Sequence, residues 1–192
     1  MSDLKKSQLP EGAKLVFKGK IFEVYNWEQK MFDGSTATFE KLKRPDTVVI
    51  IPVIGDKILI IEEEQPCGDG VTSYLDFPAG RADGGDVSLN EAKRELLEET
   101  GYSSDDWELW TSYEPHGKII WTVWVYIARN CKKIAEPHLD AGEKIKSRLI
   151  SFDEILMLTE EPKFGSSKVC ELFLRMRLDP AKKEEFQKLL FP

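Results

Sequence analysis

No stretch of this chain is apolar enough to span a bilayer. The longest run, TVVIIPVIG, falls well short of the roughly 20 residues that a membrane helix needs. The start, MSDLKKSQLPEGAK, lacks the apolar core of a secretion signal, so a cytoplasmic protein with no membrane partner is expected. Cysteine is scarce. Cys67, Cys131 and Cys170 are odd in number, far apart and in no CxxC pair, which points away from a disulfide framework or a thiolate zinc site. A basic excess is lacking too: 27 Lys and Arg stand against 34 Asp and Glu, a formal net charge of -7. Nucleic acids and anionic membranes want basic patches, so neither is an expected partner. An anionic substrate would need something other than net charge to bring it in, and a divalent metal is the obvious candidate.

What is present fits one compact domain, or one domain with a small appendage. The 192 residues, 41% hydrophobic and 32% charged, suffice for a real core. KLVFKGKIFEVYNWEQKM and STATFEKLKR are β-rich and flank the turn-forming Phe32–Gly34, which predicts an N-terminal hairpin. DTVVIIPVI and KILIIEEEQ around Gly55-Asp56 predict a second hairpin, buried on both faces. PCGDG reads as a loop, and SYLDFPAG as a short strand stopped by Pro78-Ala79-Gly80. WELWTSYE and IIWTVWVYIA read as two further strands, and SRLISF follows a polar loop containing AGEK. From Asp153 the pattern is helical, with Pro180 at a helix start. Strands first, one helix in the middle and helices last predict an α+β layered domain with a mixed sheet.

The middle helix carries the chemistry. Ser88 with Glu91 three positions on is a capping box that starts it at Leu89, and Gly101 stops it. Leu89, Ala92 and Leu96 line one face, with Leu97 at its edge. Glu91, Glu95, Glu98 and Glu99 fall in an opposing wedge roughly 100° wide. Like charges at this spacing repel by a few tenths of a kcal/mol per pair. An ordinary solvated face would interleave lysine at i+4, whereas Lys93 and Arg94 are expected to project to either side of the wedge. With Glu91 spoken for by the cap, Glu95, Glu98 and Glu99 converge as ligands for a hard cation, Mg²⁺ or Mn²⁺. The Gly-rich segment before them places the Ala79 carbonyl as a further ligand.

Gly80, Asp86, Arg94, Glu95, Leu96, Glu98, Glu99 and Gly101 together resemble the Nudix hydrolase signature, spaced without a gap. Asp86 stands where that signature has glutamate, and Tyr102 where it has an aliphatic residue. The resemblance implies an α/β/α sandwich with a mixed sheet. It implies Glu95 and Glu99 as main metal ligands, Glu98 as a third or water-mediated one, and Arg94 as the group that orients the glutamates. It also implies hydrolysis of a diphosphate linked to another moiety, with Mg²⁺ clamping the phosphate oxygens and activating water. DAGEKIKSRLISFDE is similar to the segment that carries the catalytic base in the branch acting on ADP-ribose and related nucleoside-diphosphate sugars. That puts Glu143 in the role, with Glu114 as the runner-up.

The same branch resemblance makes residues 1–44 an N-terminal β extension that pairs with a second subunit and helps form the nucleotide pocket, and residues 45–192 the hydrolase domain. A homodimer acting on a small nucleotide sugar is implied. The arginine that such proteins often place after Glu-Gln is missing, since Pro66-Cys67 follow Glu64-Gln65. Arg44 or Arg81 is the candidate replacement, and Tyr25 or Trp27 the candidate for stacking on the base. Trp121 and Trp124, three apart on one expected strand, would face opposite sides, so at most one lines the pocket. His116 is a candidate substrate-side loop residue. The alternatives are a nucleoside-triphosphate sanitising Nudix enzyme and a nucleotide-sensing module without catalysis, and retention of Glu95, Glu98 and Glu99 weighs against the module.

Overall fold

The computed structural model describes residues 8–82, 89–115 and 117–192. Three strands open the chain: β1 (Lys14–Lys18), β2 (Glu23–Lys30) and β3 (Thr36–Lys43). Then follow β4 (Asp46–Ile54), β5 (Lys57–Cys67), β6 (Gly70–Asp76), β7 (Ala79–Ala82) and helix α1 (Leu89–Thr100). The second half holds β8 (Tyr102–Ser103), β9 (Asp106–Tyr113), β10 (Ile119–Ile120), β11 (Val123–Arg129), β12 (Lys132–Lys133) and β13 (Lys144–Ile150). It closes with α2 (Phe152–Met157), α3 (Ser167–Leu178) and α4 (Pro180–Leu190).

The central sheet runs β13-β5-β4-β11-β9, with β6 added to β5 and β7 to β4. β4 and β11 are parallel while the other pairs in this sheet are antiparallel, so it is mixed. Alternation along β4 sorts the core into two layers. Val49, Ile51 and Val53 pack in one cluster with Ile155, Phe173 and Phe186 of the last three helices. Val48 and Ile50 pack in the other with Ala92 and Leu96 of α1. Helices therefore cover both faces, an α/β/α arrangement. No helix among the described residues is long and apolar enough to cross a membrane.

Several local expectations give way to pairing between distant segments. The β4/β5 hairpin has only two residue pairs, Val53 with Ile58 and Ile54 with Lys57, before its arms diverge to other partners. Pro78-Ala79-Gly80 does not stop pairing. It moves the chain from β5 to β4, where Ala79 and Gly80 oppose Val49 and Val48. Pro78 still contributes, because its carbonyl accepts from the Ile50 N–H at 2.8 Å. PCGDG is the tip of a β5/β6 hairpin, with Pro66 opposite Val71, and not an open loop. IIWTVWVYIA is two strands: β10 pairs in parallel with β3, and β11 lies in the central sheet.

The N-terminal hairpin forms as β2 and β3, and β1 adds a third strand at its edge. Through β10 these make a four-stranded sheet, joined to the rest where Leu42 and Arg44 N–H groups meet the Lys118 and Ile120 carbonyls at 3.1 and 3.2 Å. α1 is described from Leu89, and it ends as expected at Gly101, whose φ of 75° and N–H to the Leu97 carbonyl form a left-handed stop. The Ser88 half of the capping box lies outside the described residues.

Candidate active site

The acidic helix face and the central sheet enclose a cavity of about 810 Å³. The glutamate wedge does not oppose the buried face of α1 as its angular spread suggested. Glu99 is 6% exposed and buried beside Ala92 and Leu96, so one flank of the wedge turns into the protein. Its Oε2 accepts from the Ala79 N–H at 3.1 Å, across the crossing from β7 to α1. Gly80 explains why the helix can lie so close to that strand. A Cβ there would stand 1.9 Å from Cδ and Oε1 of Glu95, a distance no side chain tolerates.

Charge in this wall is only partly compensated. Burial, reinforced by the Glu95 charge, pushes the Glu99 carboxyl up to about 9. Burial likewise pushes Glu95 up to about 7, against the pull of Arg94. Arg94 does not project aside. It reaches into the wedge, with Nη2 at 2.5 Å from Glu95 Oε1, Nη1 at 2.5 Å from Glu98 Oε2, and Nε and Nη2 at 3.1 and 3.0 Å from Glu91 Oε2. Although partial burial opposes it, the guanidinium's own pKa is raised by these carboxylates. Glu91 is thus engaged by arginine in the structure.

Glu143 lines the cavity opposite the helix, at the end of a loop tied to the C-terminal end of α1. The His138 N–H meets the Glu98 carbonyl at 2.7 Å, and the Ile134 and Ala135 N–H groups meet the Gly101 carbonyl at 2.9 and 3.2 Å. Within the loop, Glu143 donates its N–H to the Asp140 carbonyl at 2.9 Å and accepts from the Asp140 N–H at 3.3 Å. Burial, with Glu63 and Asp140 nearby, raises the Glu143 carboxyl above its ordinary value. Glu114, just past β9, is not among the cavity-lining residues.

Sequence reasoning missed Glu63, Gln65, Tyr74, Thr47 and Asp76, which line the same cavity. The signal for the first two was there. The period-2 alternation of β5 continues past its apolar run, so Ile61, Glu63 and Gln65 share a face. Glu63 is 7% exposed and accepts from Gln65 Nε2.

Two arginines, Arg44 and Arg81, also line the cavity, and Arg81 lies near enough to act on the Arg44 guanidinium. Burial, then Arg81, lowers the Arg44 pKa. The Arg44 guanidinium sits 4.4 Å from the centroid of the Trp121 ring, and its Nη2 donates to Thr47 Oγ1 at 3.3 Å. Trp121 Nε1 donates to the same hydroxyl at 3.0 Å. Trp124, on β11, packs on the other side of the sheet with the α1 cluster, its Nε1 3.2 Å from Asp46 Oδ2.

Tyr25 and Trp27 are not brought to this cavity. They lie on β2, where Tyr25 donates to Glu23 at 2.8 Å and Trp27 to Gln29 at 3.0 Å. His116 and Asp86 lie outside the described residues.

A wall of hard, partly unpaired carboxylate oxygens suits Mg²⁺ or Mn²⁺ chemically. Among the described residues no three candidate ligands are already grouped around one point. Arg94 engages one oxygen of Glu95 and one of Glu98, which leaves the second oxygen of each carboxylate available to an ion.

Residues 43–171 match the NUDIX domain family. The chain is 25% identical over 173 residues to a methanol dehydrogenase activator from Bacillus methanolicus, covering 88% of this chain and 92% of that one. It is 25% identical over 169 residues to an ADP-ribose pyrophosphatase from Bacillus subtilis (strain 168), covering 86% and 90%. Its fold resembles the crystal structure of an ADP compounds hydrolase with a TM-score of 0.71, at 20% identity over 90% of this chain and 95% of that one. The matched span runs from the first strands of the cavity through the acidic helix and the Glu143 loop into α3, and the chain belongs to the Nudix hydrolase family.

Proposed function

We propose that this enzyme hydrolyses the diphosphate bond of a nucleoside diphosphate sugar, ADP-ribose or a close relative, to a nucleoside monophosphate and a sugar phosphate. The observation that carries the reading is one cavity lined both by a cluster of carboxylates, Glu95, Glu99, Glu63 and Glu143, and by two arginines, Arg44 and Arg81. A diphosphate flanked by two larger groups suits such a lining. Its negative charge is repelled by the carboxylates until cations neutralise them, and the arginines attract it directly. The relatives named for ADP-ribose and ADP compounds support the same substrate class.

Glu95 and Glu99, with Glu98 and the Ala79 carbonyl, would hold Mg²⁺, for which Mn²⁺ can substitute. When bound, the ion neutralises phosphate oxygens and lowers the pKa of water. The chain's own residues do the remaining work. Arg94 keeps the glutamates oriented by pairing with one oxygen of each. Glu143 takes the proton from the attacking water, helped by the raised affinity for protons that its partial burial confers. Arg44, held over the Trp121 ring, and Arg81 grip the phosphate remote from the attack. They stand in for the arginine missing after Gln65.

We also assign residues 1–44 to dimer formation. The exposed Leu15, Val16, Phe17 and Phe22 on and next to this sheet support a second copy as the covering surface.

The test is incubation with Mg²⁺ and ADP-ribose, ADP-glucose, UDP-glucose, GDP-mannose and nucleoside triphosphates in parallel, with products identified by chromatography. Nucleoside monophosphate and sugar phosphate from a diphosphate sugar support the reading. Turnover of triphosphates alone would replace it with the sanitising activity, and tight binding without turnover would replace it with a sensing role.

A further inference from the structure

Asp76, the last residue of β6, is a partly buried carboxylate outside the signature helix. Burial pushes it up to about 6, even though Ser166 and the Phe77 N–H both stabilise its charge. Its Oδ1 accepts from Ser166 Oγ at 2.6 Å and from the Phe77 N–H at 2.8 Å. The segment before α3 lies against β6 as a short parallel bridge. The Leu75 N–H reaches the Lys163 carbonyl and the Gly165 N–H reaches the Leu75 carbonyl, each at 2.9 Å. A Cβ at Gly165 would stand 2.6 Å from Asp76 Oδ2, so a larger residue would push that carboxylate aside. Ser166, itself buried, is the N-cap residue of α3. Its side chain serves Asp76 and makes no cap hydrogen bond to its own helix.

Three residues downstream of Asp76, the Ala79 N–H grips Glu99. Between them Phe77 is wholly buried, packed edge-on against Phe164 and Phe173, and Pro78 is held by the Ile50 N–H. The stretch from Asp76 to Ala79 is therefore a short rigid link, fixed at one end to the α3 entry and at the other to a glutamate of the acidic wall.

We propose that Asp76 is a positioning residue: through Ser166 it ties the start of α3 to the Phe77–Ala79 link, and so sets how tightly the acidic wall takes a divalent cation. The proposal rests on the metal-dependent reading above. A serine that leaves its own helix uncapped in order to bond a carboxylate, and a glycine shaped to that carboxylate, are features that stabilising α3 alone would not select.

Mn²⁺ binding to the full-length protein, read as loss of the free-ion electron paramagnetic resonance signal, tests this without recourse to turnover. Thermal unfolding of each variant is recorded beside it. Ser166→Ala is expected to weaken Mn²⁺ binding roughly tenfold, the lower end of what supporting partners of metal ligands contribute. Ser166→Thr, which keeps the hydroxyl, is expected to recover most of that loss. Gly165→Ala keeps both side chains of the hydrogen bond but pushes Asp76 aside, so it is expected to weaken Mn²⁺ binding in the same direction and reads the effect if the serine variant is too unstable to measure. Variants that melt earlier yet bind Mn²⁺ like the wild type would reduce the contact to structural support and overturn the proposal. A wild-type protein that binds no Mn²⁺ would remove the metal-dependent reading and this inference with it.

Discussion

At the scale of single residues the site is built from contacts that leave no slack. Gly80 is the clearest case, since Glu95 occupies the space its Cβ would need. Gly80→Ala should therefore displace Glu95 and cost about 1–3 kcal/mol, as overpacking does elsewhere. Urea unfolding would read the cost, and a parallel fall in Mn²⁺ affinity would show that the displaced group is a ligand. Glu143 belongs to another class, because its raised pKa comes from burial near other carboxylates and its loop is anchored independently of its side chain's charge. Glu143→Gln should lower kcat roughly 100- to 10,000-fold, the range for loss of a general base, while Mn²⁺ binding persists. Steady-state kinetics beside a binding titration checks both halves.

At the scale of elements the acidic helix was the most legible part of the chain. Its stop at Gly101 follows from local residue choice and agrees with the structure. What local pattern could not give was the rotation of the helix on the sheet. That is fixed by the partners of Ala92, Leu96 and Glu99, and it turned part of the glutamate wedge inward. Strand partners were illegible for the same reason: whether Ala79 ends a strand or begins the next one depends on β4, thirty residues earlier in the chain. Three arginines show the limit at the site itself. Helical spacing put Arg94 beside the wedge, whereas the signature resemblance had it orient the glutamates, and it bridges three of them. Arg44 and Arg81 meet only because β4 pairs with β7.

Gly101 tests the helix end as an element. It has φ of 75°, and a Cβ would stand 2.1 Å from the Ala135 carbonyl oxygen. Gly101→Ala should destabilise by at least about 2 kcal/mol. It should also loosen the loop that carries Glu143, which hydrogen exchange at Ile134 and Ala135 would detect.

At the scale of the whole molecule the unpaired charge of the cavity links stability, pH and metal. Glu95 and Glu99 have carboxyls raised to about 7 and about 9 from an ordinary 4.5. A carboxyl raised by folding holds its proton more tightly in the native state than in the unfolded one. Its stabilising contribution is whole below the unfolded value and declines as pH climbs through the native ones. The metal-free protein should therefore melt at progressively lower temperature between pH 5 and pH 9. Mg²⁺ added at pH 8 should restore most of the loss by binding the native state alone. Scanning calorimetry in chelator and in Mg²⁺ across that range decides it; a metal-free melting temperature that rises steadily with pH would contradict the assignment of only partly compensated carboxylates.

The central claim is that these carboxylates serve diphosphate hydrolysis, and Glu99 tests it most directly. The measurement is the rate of AMP and ribose 5-phosphate formation from ADP-ribose in Mg²⁺, for the wild type and for Glu99→Gln. The account predicts equal amounts of the two products from the wild type and a rate at least about a thousandfold lower in the variant, equivalent to several kcal/mol of lost transition-state stabilisation. It also predicts a metal-free variant that melts no earlier than the wild type at pH 8, because the buried carboxylate is gone. A variant that retains near-full activity, or a wild type that leaves ADP-ribose intact, would contradict it.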